Sequence, residues 1–244
     1  MSRIFAVGLG LCALLFAAGC QELHAPECKA ECAANGRCTS KGGKCIASAE
    51  DDCGRSAACQ TRGQCTLEGE ACVASAARCK SFSGCAVEGL CGARNGVCAA
   101  TEASHCRATA GCQDEGRCTA SEGVCMPRGE DCYGSAACKK YGRCSIEGKI
   151  CKTLSSADCE RGEMCTLQGY CSFRDGRCDL TSDQDCKKTR GCQRQGTCKF
   201  VADAGHNRME KLPGCVVGGP EDCKASETCR DAKNCRFKAG LCTK

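Results

Sequence analysis

Cys132-Tyr-Gly-Ser-Ala-Ala-Cys138-Lys-Lys-Tyr-Gly-Arg-Cys144-Ser-Ile-Glu-Gly-Lys-Ile-Cys151 spaces four cysteines as C-x5-C-x5-C-x6-C, and this spacing can be laid along the 244-residue chain eight times. The repeats are 28–45 (Cys28, Cys32, Cys38, Cys45), 53–72 (Cys53, Cys59, Cys65, Cys72), 79–98 (Cys79, Cys85, Cys91, Cys98) and 106–125 (Cys106, Cys112, Cys118, Cys125). They continue as 132–151, 159–178 (Cys159, Cys165, Cys171, Cys178), 186–215 (Cys186, Cys192, Cys198, Cys215) and 223–242 (Cys223, Cys229, Cys235, Cys242). The first shortens its opening interval to C-x3-C, and the seventh carries ten extra residues before its last cysteine. Elsewhere the period holds at 25 to 27 residues, which marks an internal array.

Cysteine occupies 34 positions, the composition of a disulfide scaffold. Leu, Ile, Val and Phe together number only 30, eight of them in the first 19 residues, so the repeats hold too little to form a conventional hydrophobic core. Bridges are the natural substitute, each contributing about 3 kcal/mol for loops of this length in the chain-entropy account. They require an oxidising compartment. Setting aside Cys12 and Cys20, 32 cysteines remain, four for each repeat, as two bridges per repeat require.

Other residues recur with the cysteines. Ser56, Thr109, Ser135, Thr189 and Ser226 each stand three after a first cysteine, where a hydroxyl can cap a helix. Gly36, Gly63, Gly89, Gly116, Gly142, Gly169 and Gly196 each follow a second cysteine by four, where a helix ends in the left-handed conformation. The eighth repeat has Lys233 there. Asn95-Gly96 and Asp175-Gly176 lie between third and fourth cysteines and are two-residue hairpin turns. The fold expected is therefore a small disulfide-rich repeat array, each repeat a short helix around its second cysteine plus a small β-hairpin. Four cysteines allow three connectivities. If the first two shared a helix they would lie about 9 Å apart, too far for a bridge. Pairing within a repeat is favoured, with bridges between repeats left open.

The first residues have another character. Arg3, the apolar run Ile4–Phe16 and Ala17-Ala18-Gly19 form the charged, apolar and small-residue regions of an export signal over 1–19. Ala-Ala-Gly-Cys20 resembles the lipobox of bacterial lipoproteins, although Ala17 stands where that family usually has Leu. The resemblance implies a diacylglyceryl group on Cys20, attachment to a membrane through it and, with Gln21 next, sorting to the outer membrane of a Gram-negative bacterium. Residues 20–27 then form a lipidated tether reaching roughly 25 Å. Cys20 lies outside the repeat lattice.

Chemistry is sparse. Structural zinc prefers C-x2-4-C pairs; apart from Cys28-x3-Cys32 none occurs, and neither CC nor C-x-C is present, so no metal or cofactor is expected. His24, His105 and His206 are the only histidines, and neither H-E-x-x-H nor G-x-S-x-G appears. The chain reads as no enzyme. Asp52, Asp131, Asp158, Asp185 and Asp222 precede first cysteines, with His105 substituting in the fourth repeat. One carboxylate per repeat is too few for calcium, and these acids read as residues favoured near a helix start.

Charge is uneven. From Cys20 to Asp185 there are 20 Lys/Arg against 23 Asp/Glu, and from Cys186 to Lys244 13 against 6, net +7. Lys187, Lys188, Arg190 and Arg194 are the candidate contacts to an anionic partner, an envelope polymer or another surface protein. Nucleic acid is not expected, because Phe200 and Phe237 are the only aromatics nearby. The insertion 199–214 lengthens the seventh hairpin. The function expected is a lipid-anchored structural or interaction protein of the cell envelope, an adhesin or scaffold. A tandem protease inhibitor is the alternative, disfavoured by variable, Gly-rich loops.

One measurement checks the disulfide reading: protein taken from its native compartment should show no free thiol among the 32 repeat cysteines. Stoichiometric zinc in that preparation would overturn it.

Overall fold

The computed structural model describes residues 25–204 and 212–244. The chain forms two compact units, one running to Arg78 and including Asn95–Val97, the other comprising Cys79–Arg94 and Cys98–Lys244. The same local architecture recurs throughout: short helices, then an antiparallel two-stranded hairpin, stapled by two bridges.

Where the spacing predicts one helix, the second to eighth repeats form two. In the fifth these are Asp131–Gly134 and Ala136–Tyr141, followed by strands Ser145–Glu147 and Ile150–Lys152. Ser135 separates the helices because it adopts an extended conformation, φ −73° and ψ 153°. Its hydroxyl donates to the Cys132 carbonyl at 2.7 Å and accepts from the Cys138 N–H at 3.1 Å, so one side chain ends the first helix and caps the second. Ser56, Thr109, Thr189 and Ser226 do the same. Phe82 and Gly162 hold the same conformation without a capping bond. The first repeat lacks two residues of this interval, and its helix runs unbroken from Lys29 to Asn35.

Each hairpin is three residues a side, and no sheet among the described residues exceeds two strands. In the sixth repeat Arg174 faces Arg177 across the turn Asp175-Gly176, whose φ values are 50° and 81°. Positive φ at both central residues is what the right-handed strand twist demands. In the seventh repeat Val201 faces Gly214, and the Ala204 N–H bonds the Leu212 carbonyl beyond them. Residues 205–211 of the insertion lie outside the described residues.

The bridges resolve the connectivity left open above. In all eight repeats the first cysteine pairs with the fourth, at Cα separations of 5.3 to 5.7 Å. The second pairs with the third at 4.2 to 4.6 Å. The outer bridge ties the first helix to the second strand, and the inner one clamps the turn from second helix to first strand. Every first cysteine is at most 1% exposed. Sulfur occupies the centre that large aliphatics fill in other folds. Around it lie Ala47, Ala74, Ala100, Pro127, Thr153, Leu180 and Val217, each buried two residues after a fourth cysteine. They anchor the linkers between repeats.

Within each compact unit, successive repeats meet at the glycine that ends the second helix. At Gly142, φ is +70°, and an added Cβ would lie 2.6 Å from the Asp158 carbonyl oxygen of the next repeat. Glycine thus serves both the left-handed turn and close approach of two backbones. Lys233 holds the same turn at φ +62° in the eighth repeat.

These two positions should respond oppositely. Gly142→Ala forces Cβ into a neighbouring carbonyl and should cost about 2 kcal/mol or more. Lys233→Gly only relieves backbone strain and should gain roughly 0.5–1 kcal/mol. Amide hydrogen exchange across repeats five and six, and across repeat eight, reads the two effects separately. Equal protection in Gly142→Ala and wild type would contradict the close approach.

Candidate functional site

Three of the acids before first cysteines, Asp131, Asp158 and Asp185, hold repeats together. Asp158 accepts from the Ser145 hydroxyl of the preceding repeat at 2.9 Å, and from the Leu154 N–H at 2.9 Å. Thr119 donates to Asp131 at 2.7 Å in the same way. Asp185 gathers more: the hydroxyls of Ser172, Thr181 and Ser182 and the N–H groups of Thr181 and Ser182. With Ser182 it also completes a capping box. Favourable placement near a helix dipole, as read from the sequence, is therefore only part of their role. Each of these three carboxylates is a latch between a linker and the hydroxyl that follows the preceding repeat's third cysteine.

At the junction of the third and fourth repeats both halves of the latch are missing. His105 stands in place of the acid, and Gly92 in place of the hydroxyl. A Cβ on Gly92 would fall 2.1 Å from the Thr101 hydroxyl, so the threonine already fills that space. His105 Nδ1 is buried and makes no hydrogen bond. His24 and His206 lie outside the described residues, as does Cys20.

The candidate cations Lys187, Lys188, Arg190 and Arg194 are all exposed. Lys188 pairs with Glu160 at 2.5 Å and Arg194 with Glu227 at 3.7 Å, each partner on an adjacent repeat. Half of the set is thus engaged in ties between repeats. Lys187 and Arg190 form no ion pair among the described residues. Sequence reasoning passed over a second basic group, on the eighth hairpin: Arg236 and Lys238 project from one strand whose three residues are all exposed. Alternation along that strand was the signal that could have found them.

Other concavities are small. Recesses of about 260, 320 and 210 Å³ lie between repeats three to five, lined by residues such as Val87, Arg117, Met126, Arg128 and Arg143. No group of three or more His, Cys, Asp or Glu among the described residues is placed to hold a metal. None of their helices is long and apolar enough to cross a membrane.

The geometry defines a class: a tandem array of four-cysteine, helix-plus-hairpin repeats, with the extensive bridging of an extracellular or exported protein. No protein-family model matches the chain, and no curated protein or solved structure matches it.

The latch carries a pH signature. Burial by itself would raise the Asp185 pKa, but the bonds from Thr181, Ser172 and Ser182 outweigh it and hold the carboxyl below the usual aspartate value. Its stabilisation is present above the unfolded pKa, about 3.9, and is lost as pH falls through the lower folded value. Asp185→Asn should destabilise the sixth-to-seventh junction by about 1–2 kcal/mol at pH 7, with the deficit shrinking below about pH 4. Hydrogen exchange from pH 7 to pH 3 measures it. A deficit constant across that range would contradict the latch.

Proposed function

We propose that the chain is an exported, lipid-anchored structural or interaction protein of a bacterial cell envelope, without enzymatic activity. It is held at the outer membrane by a diacylglyceryl group on Cys20. One observation supports this above the rest: each of the 32 repeat cysteines is bonded to another of its own repeat. None of them is left to pair with Cys20. A cysteine after an apolar leader, with no partner left for it among the repeat cysteines, fits the thioether role of a lipoprotein's first residue. The last two repeats, with their net positive charge, hold an anionic envelope polymer or another surface protein.

Cys20→Ser tests the anchor. The unsubstituted protein should partition into the detergent phase, and the variant into the aqueous phase with its repeats still fully bridged. Aqueous partition of the unsubstituted, processed protein would sink the lipid assignment.

A further inference from the structure

In the fourth to seventh repeats, the side that meets the next repeat draws on recurring parts, although the seventh has Lys199 where the fourth to sixth have a hydroxyl. One is the glycine after the second helix: a Cβ on Gly196 would come within 2.7 Å of the Asp222 carbonyl, as Gly142 does with Asp158. Another is the residue after the third cysteine, seen in the Ser145–Asp158 and Ser172–Asp185 bonds. The hairpin turn is the third, as in the Glu122–Lys149 ion pair at 2.6 Å.

The eighth repeat replaces these parts together. Lys233 stands at the glycine position in the left-handed conformation. Arg236 stands at the hydroxyl position. Lys238, two residues along the same strand, projects to the same side. All three are exposed. Neither Arg236 nor Lys238 forms an ion pair among the described residues, and the Lys233 ammonium donates only to the Arg230 carbonyl, at 3.4 Å. Asp231, in the last turn of the neighbouring helix, is the one nearby acid in sequence. A further repeat in the usual geometry would meet the Lys233 Cβ where glycine is needed.

We propose that this face is a repeat-stacking surface converted into an end-on docking site for a carboxylate-rich polysaccharide. The inference rests on the reading of the basic end as a polyanion binder, and it says where on that end the polymer sits. At the three junctions from the fourth to the seventh repeat, a donor beside the third cysteine meets an aspartate carboxylate. Arg236 keeps a donor at that place, charges it and extends its reach to a carboxylate from outside. The helix-side cations Lys188 and Arg194 are already paired with Glu160 and Glu227. A protein partner would need a desolvated anchor region. Here Leu241, opposite Lys238 and 64% exposed, is the large apolar side chain on this side of the hairpin. Phe237 pairs across the ribbon with Cys242 and lies on its other side. A chain of carboxylates held by charge fits these surroundings.

The test uses the full mature protein in detergent and soluble polygalacturonate as probe, with poly(dT) as the competing polyanion. Lys233→Gly/Arg236→Ser/Lys238→Ser gives the eighth repeat the residues found at the same places in other repeats, Gly142, Ser145 and Ser121, so folding should survive. It should bind polygalacturonate about tenfold more weakly at 0.1 M salt, the difference fading towards 1 M as the Debye length falls from about 10 Å to about 3 Å. Lys187→Ser/Lys188→Ser/Arg190→Ser/Arg194→Ser should lose less than about twofold. Undiminished binding by the triple variant, or an equal loss in the quadruple one, overturns the end-face site while leaving a basic polyanion-binding end in place. Failure of the intact protein to bind either polymer at low salt overturns both. Tighter binding to poly(dT) than to polygalacturonate overturns the polysaccharide assignment.

Discussion

A fully buried first cysteine bonded to the fourth is the constraint on which every other feature of the repeat depends. The helices of the fifth repeat have four and six residues, well below the length that is stable alone in water. A hairpin of two three-residue strands is no better. Joined by the outer bridge they share one centre, and the inner bridge limits how far the chain can open between them. Because the closed loops are present in the unfolded chain as well, folding orders far fewer conformations than the residue count implies. This lets a chain with little Leu, Ile, Val and Phe hold a defined structure.

Joining repeats is a separate problem with a separate solution. At several junctions one repeat's backbone closely approaches the next, so the contact depends on groups that permit that approach. Glycine supplies the approach at one point, a hydroxyl-to-carboxylate bond supplies direction at another, and the buried residue two after the fourth cysteine anchors the linker. In the early repeats that residue is Ala47, Ala74 or Ala100, and its N–H also bonds a carbonyl of the following hairpin turn. Pro127 has no N–H to offer, and the junction it begins carries the Thr119–Asp131 latch. Different junctions are therefore held by different bonds over a common geometry. Substitutions at one should be felt mainly by the two repeats it joins.

Much of this was legible from residue order because it is local. Ser135, three after Cys132, reads as a helix cap, and Gly142, four after Cys138, as a helix end; both assignments depend on neighbours within one turn. Asp175-Gly176 reads as a hairpin turn for the same reason. The break between two helices was not legible. A serine that caps one helix looks the same whether or not another helix ends at its own carbonyl neighbour. The second role of the Asp residues escaped because their partners sit across a linker, on the preceding repeat. Residue types alone do not mark it: Thr39 and Asp52 hold the same two places, yet the Thr39 hydroxyl bonds Ser48.

By itself the sequence determined the array: the period, the number of repeats, the helix around each second cysteine and the hairpin after it, and the chemistry of sulfur in place of a hydrocarbon core. These follow from spacing and short-range preference. The tertiary structure alone decided the pairing of first with fourth and second with third cysteines, because connectivity depends on which Cβ atoms approach in space. It alone decided that glycine at the helix end also meets a neighbour's backbone. It also separated Lys188 and Arg194, paired across repeat junctions, from Arg236 and Lys238, exposed on the last hairpin. A cation's availability is set by the groups folded beside it, and a count of charges along the chain carries no record of those neighbours.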